Sequence, residues 1–176
     1  MVIEPNAFRL ISYGMYVVSS FGTSTELGAG PKLNGQIATT VFQVTSEPPL
    51  MAVSLNCQNL TNELIKKSQK FSIAVLSQEA PLTLIGTFGF KSGRQVDKFS
   101  GMKYEICPSG NPKLLEYSLA HFDLEVTQTV ELGSHTLFIG KVVESQILAE
   151  GQPMTYEYYH KIKGGQIQRN APSYVR

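Results

Sequence analysis

The clearest pattern in the sequence is an alternation of apolar and polar side chains over residues 121–131. One side of the pattern carries Phe122, Leu124, Val126 and Val130, and the other carries His121, Asp123, Glu125, Thr127, Thr129 and Glu131. A period of two predicts a strand with one buried and one solvated face, so we expect His121 to be exposed. Gly133 and Ser134 then predict a turn, and residues 135–147 a second strand, which together make a long antiparallel hairpin.

Further strands are predicted by segments rich in Val, Ile, Thr, Tyr and Phe. They cover residues 13–21, 36–45, 50–55 and 71–76, with Pro48 and Pro49 breaking the chain before the third. Short helices are predicted over residues 61–68, 80–88 and 113–117. Many short strands, few helices and 15 glycines favour a mainly β, antiparallel barrel over a doubly wound sheet. With no repeat or linker, residues 1–176 are predicted to form one domain.

Composition narrows the class of protein. The chain has 176 residues, 42% of them hydrophobic, and 15 basic against 14 acidic residues give a formal charge of +1. This balance argues against a nucleic-acid-binding face, which needs excess positive charge. No apolar run approaches the roughly 20 residues that span a bilayer, and the first residues do not resemble a signal peptide. We therefore expect a soluble, cytoplasmic protein, in which Cys57 and Cys107 form no disulfide framework.

A glycine-rich stretch at residues 28–35 precedes the first group of candidate binding residues. It lacks the Gly-Lys-Ser/Thr ending of a phosphate-binding loop and the spacing of a dinucleotide fingerprint, so a simple loop is its first interpretation. The amide and hydroxyl side chains that follow it could bind the edge of a flat heterocycle. They are Asn34, Gln36, Thr39 and Thr40. The alternative is ordinary turn and strand propensity.

Two other segments could bind a phosphate. Residues 54–61 leave a strand and enter a helix, whose N-terminal N–H groups attract anions, although simple capping by Asn59 or Thr61 explains them equally well. Residues 91–99 place Lys91, Arg94 and Lys98 in one loop, which suits a terminal phosphate; the alternative is a solvated loop with Asp97 as counter-ion. The three histidines show no metal-ligand spacing, so no metal site is expected.

Five segments, taken in order, resemble the flavin reductase-like, FMN-binding split-barrel family. They are residues 34–42 (NGQIATTVF), 48–56 (PPLMAVSLN), 92–99 (SGRQVDKF), 133–140 (GSHTLFIG) and 154–160 (MTYEYYH). The resemblance covers about residues 8–174 and is strongest to the branch with flavoredoxins and NADH:FMN oxidoreductase domains. It implies a Greek-key split barrel with a few short helices, assembled as a homodimer.

The resemblance also implies which residues contact FMN. The flavin ring would be contacted by Asn34, Gln36, Ala38, Thr39 and Thr40. The ribityl chain and phosphate would be held by Ser54, Leu55, Asn56, Asn59 and Thr61. The loop closing over the phosphate would supply Lys91, Ser92, Arg94 and Lys98. His135 would lie near the flavin and the nicotinamide as the catalytic residue.

The implied activity is transfer of hydride from NADH or NADPH to FMN and of electrons onward to an acceptor. The alternative is a flavoredoxin-like electron carrier, reduced by a protein partner without significant NAD(P)H activity. Because the chain has no CxxC motif, electron transfer to a rubredoxin would need a separate partner. The aromatic tail from Tyr156 to Tyr174 could cover the flavin of the other subunit, or could seal the barrel of its own chain.

Overall fold

The computed structural model describes residues 3–22 and 32–166 as nine strands and three α-helices, with a 3₁₀ helix at Pro5–Leu10. The strands are β1 (Tyr16–Gly22), β2 (Lys32–Ala38), β3 (Val41–Ser46), β4 (Pro49–Asn56), β5 (Lys70–Leu76), β6 (Tyr104–Ile106), β7 (Pro112–Leu114), β8 (Ser118–Glu131) and β9 (His135–Ile147). The helices are α1 (Leu60–Ser68), α2 (Leu82–Phe90) and α3 (Tyr156–Lys161). Among the described residues, no helix is long and apolar enough to cross a membrane.

Seven strands form one antiparallel sheet in the order β2-β1-β5-β8-β9-β4-β3, and β6 and β7 form a separate hairpin. Its two outer strands, β2 and β3, are consecutive in the chain and are joined by Thr39 and Thr40 alone. A two-residue connection keeps the two edges close together, so the sheet must curl around its core. The backbone N–H of Ser54 donates to Thr40 O at 3.1 Å, which fastens this connection to β4.

Two apolar clusters fill the curled sheet. One lies between β4, β5, β8 and β9, with Phe71, Ile73 and Phe138 fully buried. The other lies beneath α2 and α3, where Phe88 and Tyr159 are buried. A buried aromatic side chain removes 150–250 Å² from water, so these side chains hold the helices firmly against the sheet.

Most strand predictions are confirmed, together with the long hairpin of β8 and β9 and the first two helices. The single strand predicted for residues 36–45 is wrong, because the chain turns at Thr39 and Thr40 between two strands. The helix predicted for residues 113–117 is also wrong. Lys113 pairs with Glu105 in the β6–β7 hairpin, and Tyr117 adopts a left-handed φ of 54° that ends any helix.

The prediction that His121 and Asp123 face solvent is wrong. Both are buried, with 0% and 2% of their surface exposed. The β6–β7 hairpin lies over this face of β8, since Asn111 and Cys107 contact them through side-chain hydrogen bonds. Val130, predicted to be buried, is 41% exposed near the end of the same strand.

The late aromatic residues pack on their own chain as far as the structure describes them. Tyr159 is buried in the core, and Tyr156 and Tyr158 are half-buried against the same cluster. The Tyr159 hydroxyl donates to Gln166 O at 3.1 Å. These contacts favour sealing of the chain's own barrel over coverage of a partner; Tyr174 lies outside the described residues.

Candidate functional site

A cavity of about 560 Å³ opens between β2, the start of α1, the end of α2 and the loop that follows α2. Its lining consists of Asn34, Gln36, Gln58, Asn59, Leu60, Thr61, Phe88, Gly89, Phe90, Lys91, Ser92, Gly93 and Lys98. Ligand pockets typically measure roughly 300–1,000 Å³. The cavity is therefore large enough for a ligand of nucleotide size, with polar groups on several of its walls.

The β2 wall presents hydrogen-bond acceptors that lack a donor. Asn34 is 2% exposed, and its Nδ2 donates to the buried Thr61 Oγ1 at 2.8 Å. Asn34 Oδ1 and Gln36 Oε1 are both buried, and neither has a hydrogen-bond partner within the described chain. A buried acceptor without a donor is costly, so these two oxygens suit a ligand that brings N–H groups into the cavity.

Lys98 is buried at the same cavity, with 4% of its surface exposed. Its Nζ donates to Gly35 O at 2.9 Å and to Phe88 O at 3.0 Å. Burial disfavours the charged amine and lowers the pKa of Lys98 to about 8. Because carbonyl oxygens orient the ammonium group without neutralising it, the site favours an anionic ligand.

The loop after α2 forms the opposite wall. Lys91 and Ser92 are exposed at its start, and a tight turn follows, in which Ser92 O accepts from Val96 N–H at 3.1 Å. Gly93 is buried against Asn34, and a Cβ added to it would lie 1.9 Å from Asn34 Oδ1. Only glycine allows the loop to approach β2 this closely.

Arg94, predicted to bind the phosphate, lies outside the cavity lining. Its guanidinium Nη2 lies 2.8 Å from Glu63 Oε2 of α1 and, through this hydrogen bond, holds the pKa of Glu63 below its usual value. The ion pair therefore fastens the loop to α1 in the described structure.

We expect Arg94→Ala to weaken FMN binding less than Lys91→Ala does. The Arg94–Glu63 pair is solvent-exposed, so its loss should lower the free energy of unfolding by about 0.2–1 kcal/mol. Fluorescence titration with FMN measures both variants against the wild type. A larger loss of affinity in Arg94→Ala would instead assign the phosphate contact to Arg94.

Other predicted residues also lie outside the cavity lining. They are Ala38, Thr39, Thr40, Ser54, Leu55 and Asn56. Ala38 and Leu55 pack in the core, and Asn56 Oδ1 accepts from Gln58 N–H at 2.9 Å. Thr39 Oγ1 and Thr40 Oγ1 are buried without a partner among the described residues, so they retain hydrogen-bonding capacity at the β2–β3 connection.

His135 begins β9 and lies opposite Asn56 of β4. It is half-buried, and its Nδ1 lies 2.9 Å from Ser134 Oγ. The neighbouring Cys57 N–H donates to Ser134 O at 3.0 Å, which joins this turn to the segment leading into α1. His135 does not line the cavity, but residues 58–61, which closely follow its strand partner Asn56, do.

The sequence interpretation missed several cavity residues, namely Gln58, Leu60, Phe88, Gly89, Phe90 and Gly93. Gln58 and Leu60 flank Asn59, which was predicted to bind the ligand, so their position beside it could have identified them. Phe88, Gly89 and Phe90 end α2, directly before the basic loop. Their apolar side chains are typical of a core helix, so the sequence gives no sign that they line a cavity.

Several known proteins are similar to this chain along most of its length. The model of the flavin reductase like domain family matches residues 8–163. The chain is 45% identical over 173 residues to a high molecular weight rubredoxin of Moorella thermoacetica, covering 98% of this chain and 72% of that protein. It is 37% identical over 172 residues to a ferric-chelate reductase (NAD(P)H) of Archaeoglobus fulgidus, covering 98% of both.

Solved structures give the same result. An FMN-binding protein from Thermus thermophilus superposes with a TM-score of 0.70 at 25% identity, covering 84% of this chain and 78% of that one. A structure from Haemophilus somnus superposes with a TM-score of 0.73 at 24% identity, covering 86% of this chain and 90% of that one, and shows the shared fold. The resemblance noted in the sequence is confirmed: the chain belongs to the flavin reductase-like domain family.

Proposed function

We propose that this protein is an NAD(P)H-dependent flavin reductase that holds FMN in the cavity between β2, α1 and the loop after α2. The observation that carries the proposal is the pairing of unpartnered acceptors on β2 with a buried cation, Lys98, around one space. Membership of the flavin reductase-like family supports the reaction class. So does the similarity to a ferric-chelate reductase named for NAD(P)H.

The residues present fit FMN. Gln36 Oε1 can accept from the ring N–H, and Asn34, held by the buried Thr61 Oγ1, packs beside it against Gly93. Lys91, Ser92 and Lys98 can bind the phosphate, which carries about −1.5 to −2 charges at neutral pH. When bound, FMN supplies the redox chemistry, since it can accept a hydride from a nicotinamide and release electrons to an acceptor.

The protein contributes binding, orientation and charge. A cation and oriented N–H donors in a partly enclosed site stabilise negative charge without reorganising when it develops. At the start of α1, Asn59 occupies the N-cap and makes no side-chain capping hydrogen bond, so its side chain is available to a ligand. Phe88 and Phe90 supply the apolar part of the cavity wall.

The test is to titrate flavin-free protein with FMN and then follow oxidation of NADH and NADPH. We expect flavin fluorescence to change at micromolar FMN and the nucleotide to be oxidised only when flavin is present. Absence of flavin binding would refute the cavity assignment. Binding without nucleotide oxidation would refute the reductase activity alone.

A second candidate function is a flavoredoxin-like electron carrier. The 45% identity to a protein named high molecular weight rubredoxin favours it, because that name joins this domain type to an electron-transfer protein. In this case a rubredoxin would be the redox partner. Stopped-flow mixing distinguishes the two functions: a carrier is reduced slowly by NADH and NADPH and rapidly by a reduced protein donor.

We also propose a homodimer with a Greek-key split barrel in each subunit. Apolar side chains are exposed on β3, where Phe42 is 50% and Val44 is 43% exposed, and at the end of the β8–β9 hairpin, where Leu132 is 56% exposed. Burial of such patches between two copies removes apolar surface from water. Light scattering measures the mass, and a monomer of 19.4 kDa would contradict the proposal.

We expect His135→Ala to slow reduction of bound FMN by NADH about tenfold, because positioning of the two reactants is a major part of such a reaction. The affinity for FMN should stay near the wild-type value, since His135 does not line the cavity. Pre-steady-state kinetics measure the step directly. An equal loss in His135→Ala and in the control Lys141→Ala, which changes an exposed residue further along β9, would instead indicate a disturbed strand.

A further inference from the structure

We propose that Cys107, His121 and Asp123 form a buried site for a divalent transition-metal ion with the ligand preferences of Zn²⁺. His121 and Asp123 are two residues apart on β8, so their side chains point to the same face of the sheet. Cys107 lies in the turn of the β6–β7 hairpin that covers this face. The site shares no residue with the flavin cavity.

The ligand atoms lie close to the separations of a tetrahedral zinc site. Cys107 Sγ lies 3.4 Å from His121 Nε2, and one potential ligand atom from each of the three residues lies within 4.8 Å of the others. With Zn–S of about 2.3 Å and Zn–N of about 2.0 Å, two ligand atoms of a tetrahedral site lie about 3.5 Å apart. Small side-chain rotations are therefore enough to close the site around an ion.

The cluster is buried and incompletely bonded. Cys107, His121 and Asp123 are 4%, 0% and 2% exposed. His121 Nδ1 and Asn111 Oδ1 are buried and have no hydrogen-bond partner among the described residues. Whichever ring nitrogen carries the proton, the imidazole leaves one nitrogen unpaired, which native interiors avoid.

The hairpin is built to hold these groups. Cys107 N–H donates to Asn111 O at 2.9 Å and Gly110 N–H donates to Cys107 O at 2.9 Å, which closes the turn around the thiol. Asn111 Nδ2 donates to Asp123 Oδ1 at 2.7 Å. A hydrogen bond of this kind orients a ligating carboxylate and leaves its other oxygen for the metal.

The charges also balance. The imidazole ligates as a neutral group, because a histidine must be unprotonated at the nitrogen that binds a metal. A thiolate and a carboxylate then neutralise one divalent cation. Metal binding releases the thiol proton of Cys107 to solvent as the metal–sulfur bond forms. The nearby Lys113 is engaged elsewhere, with Nζ 3.0 Å from Glu144 Oε1 and 3.1 Å from Gln146 Oε1.

The three histidines of the sequence gave no metal-ligand spacing, which is the reason that no metal site was expected. The ligands instead come from one histidine, a cysteine on a distant turn and a carboxylate on the same strand. With three protein ligands and water in the fourth position, the metal would fasten the β6–β7 hairpin to the sheet. No part of the proposed flavin chemistry depends on it.

The test is the metal content of untagged full-length protein, produced in zinc-supplemented medium and purified without chelators. We expect about one zinc ion per chain in the wild type and in the control Cys57→Ala, and less than ~0.1 in Cys107→Ala and Asp123→Asn. Cooperative thermal unfolding, followed by circular dichroism, reports whether each variant is folded. X-ray absorption of the wild type should show one sulfur ligand at about 2.3 Å.

Three outcomes overturn the proposal. The first is wild-type protein that holds no metal after growth in medium with zinc, cobalt or iron. The second is bound metal without a sulfur ligand, and the third is an undiminished metal content in folded Cys107→Ala. If a variant does not fold, the metal content and the absorption spectrum of the wild type still decide. Flavin reductase activity can be present or absent in each case, so the two proposals fail independently.

Discussion

Lys98→Met is expected to weaken FMN binding by about 30- to 150-fold. Loss of a hydrogen bond to a charged group costs about 2–3 kcal/mol, and Lys98 is the buried cation of the cavity. The flavin-free variant loses the hydrogen bonds from Nζ to Gly35 O and Phe88 O, so its free energy of unfolding should fall. Methionine fills the space of the lysine stem without a buried charge, so the variant should still fold. Fluorescence titration gives the affinity, and thermal unfolding gives the stability.

The effect should also depend on pH in a definite direction. In the flavin-free protein the pKa of Lys98 is about 8, so the amine is neutral above this pH. Binding of FMN above pH 8 must therefore be accompanied by protonation of Lys98. Wild-type affinity should therefore fall as the pH rises through 8, and Lys98→Met should lack this dependence. The folded pKa lies below the unfolded value of 10.5, so the unfolded chain binds more protons between pH 8 and 10.5. Over that range, Lys98 makes the flavin-free wild type more stable as the pH rises.

Lys103→Met is the matched control, since Lys103 is exposed and does not line the cavity. Its FMN affinity and pH profile should match those of the wild type. An affinity for Lys98→Met within about threefold of the wild type, or an unchanged pH profile, would contradict the assignment of Lys98 to the ligand.

Gly93→Ala is expected to lower both the stability and the flavin affinity. The new methyl group would lie 1.9 Å from Asn34 Oδ1, so either the Asn34 side chain leaves Thr61 or the loop moves away from β2. Overpacking of this kind costs about 1–3 kcal/mol in unfolding free energy. Either displacement changes the cavity wall, so we expect FMN to bind about tenfold more weakly.

The same substitution at Gly86 provides the control. Gly86 lies inside α2, and an added Cβ meets nothing within 4 Å. Gly86→Ala should raise the unfolding free energy by about 0.5–1 kcal/mol, because alanine loses less backbone entropy in a helix. Denaturant unfolding compares the two variants. If Gly93→Ala is as stable as Gly86→Ala and binds FMN normally, the contact with Asn34 does not shape the cavity.

The strands of the sheet could be predicted because their signals are local. The apolar runs of β4 and β5 and the alternation in β8 each lie within one element. The break between β2 and β3 could not be predicted, because Thr39 and Thr40 have the same β propensity as their neighbours. The burial of His121 depends on a hairpin that precedes it in the chain and folds over it, which no local period encodes.

For the site, the sequence indicated the segments better than the individual roles. The loop of residues 91–99 does border the cavity, but charge alone could not show that Lys98 is buried while Arg94 pairs with Glu63. These differences arise from packing against α1 and β2, which are distant in the sequence. Similarly, Phe88 has the pattern of a core residue and in fact has both roles.

The cavity lining comes entirely from the stretch between Asn34 and Lys98, whereas His135, proposed to face the nicotinamide, comes from the later β9. On these proposed roles, retention of the flavin and contact with the electron donor are encoded in separate parts of the chain. We therefore expect substitutions in the β8–β9 hairpin to change the rate of reduction by the nucleotide without loosening the flavin. This separation offers evolution a way to adapt one flavin-binding unit to different electron sources.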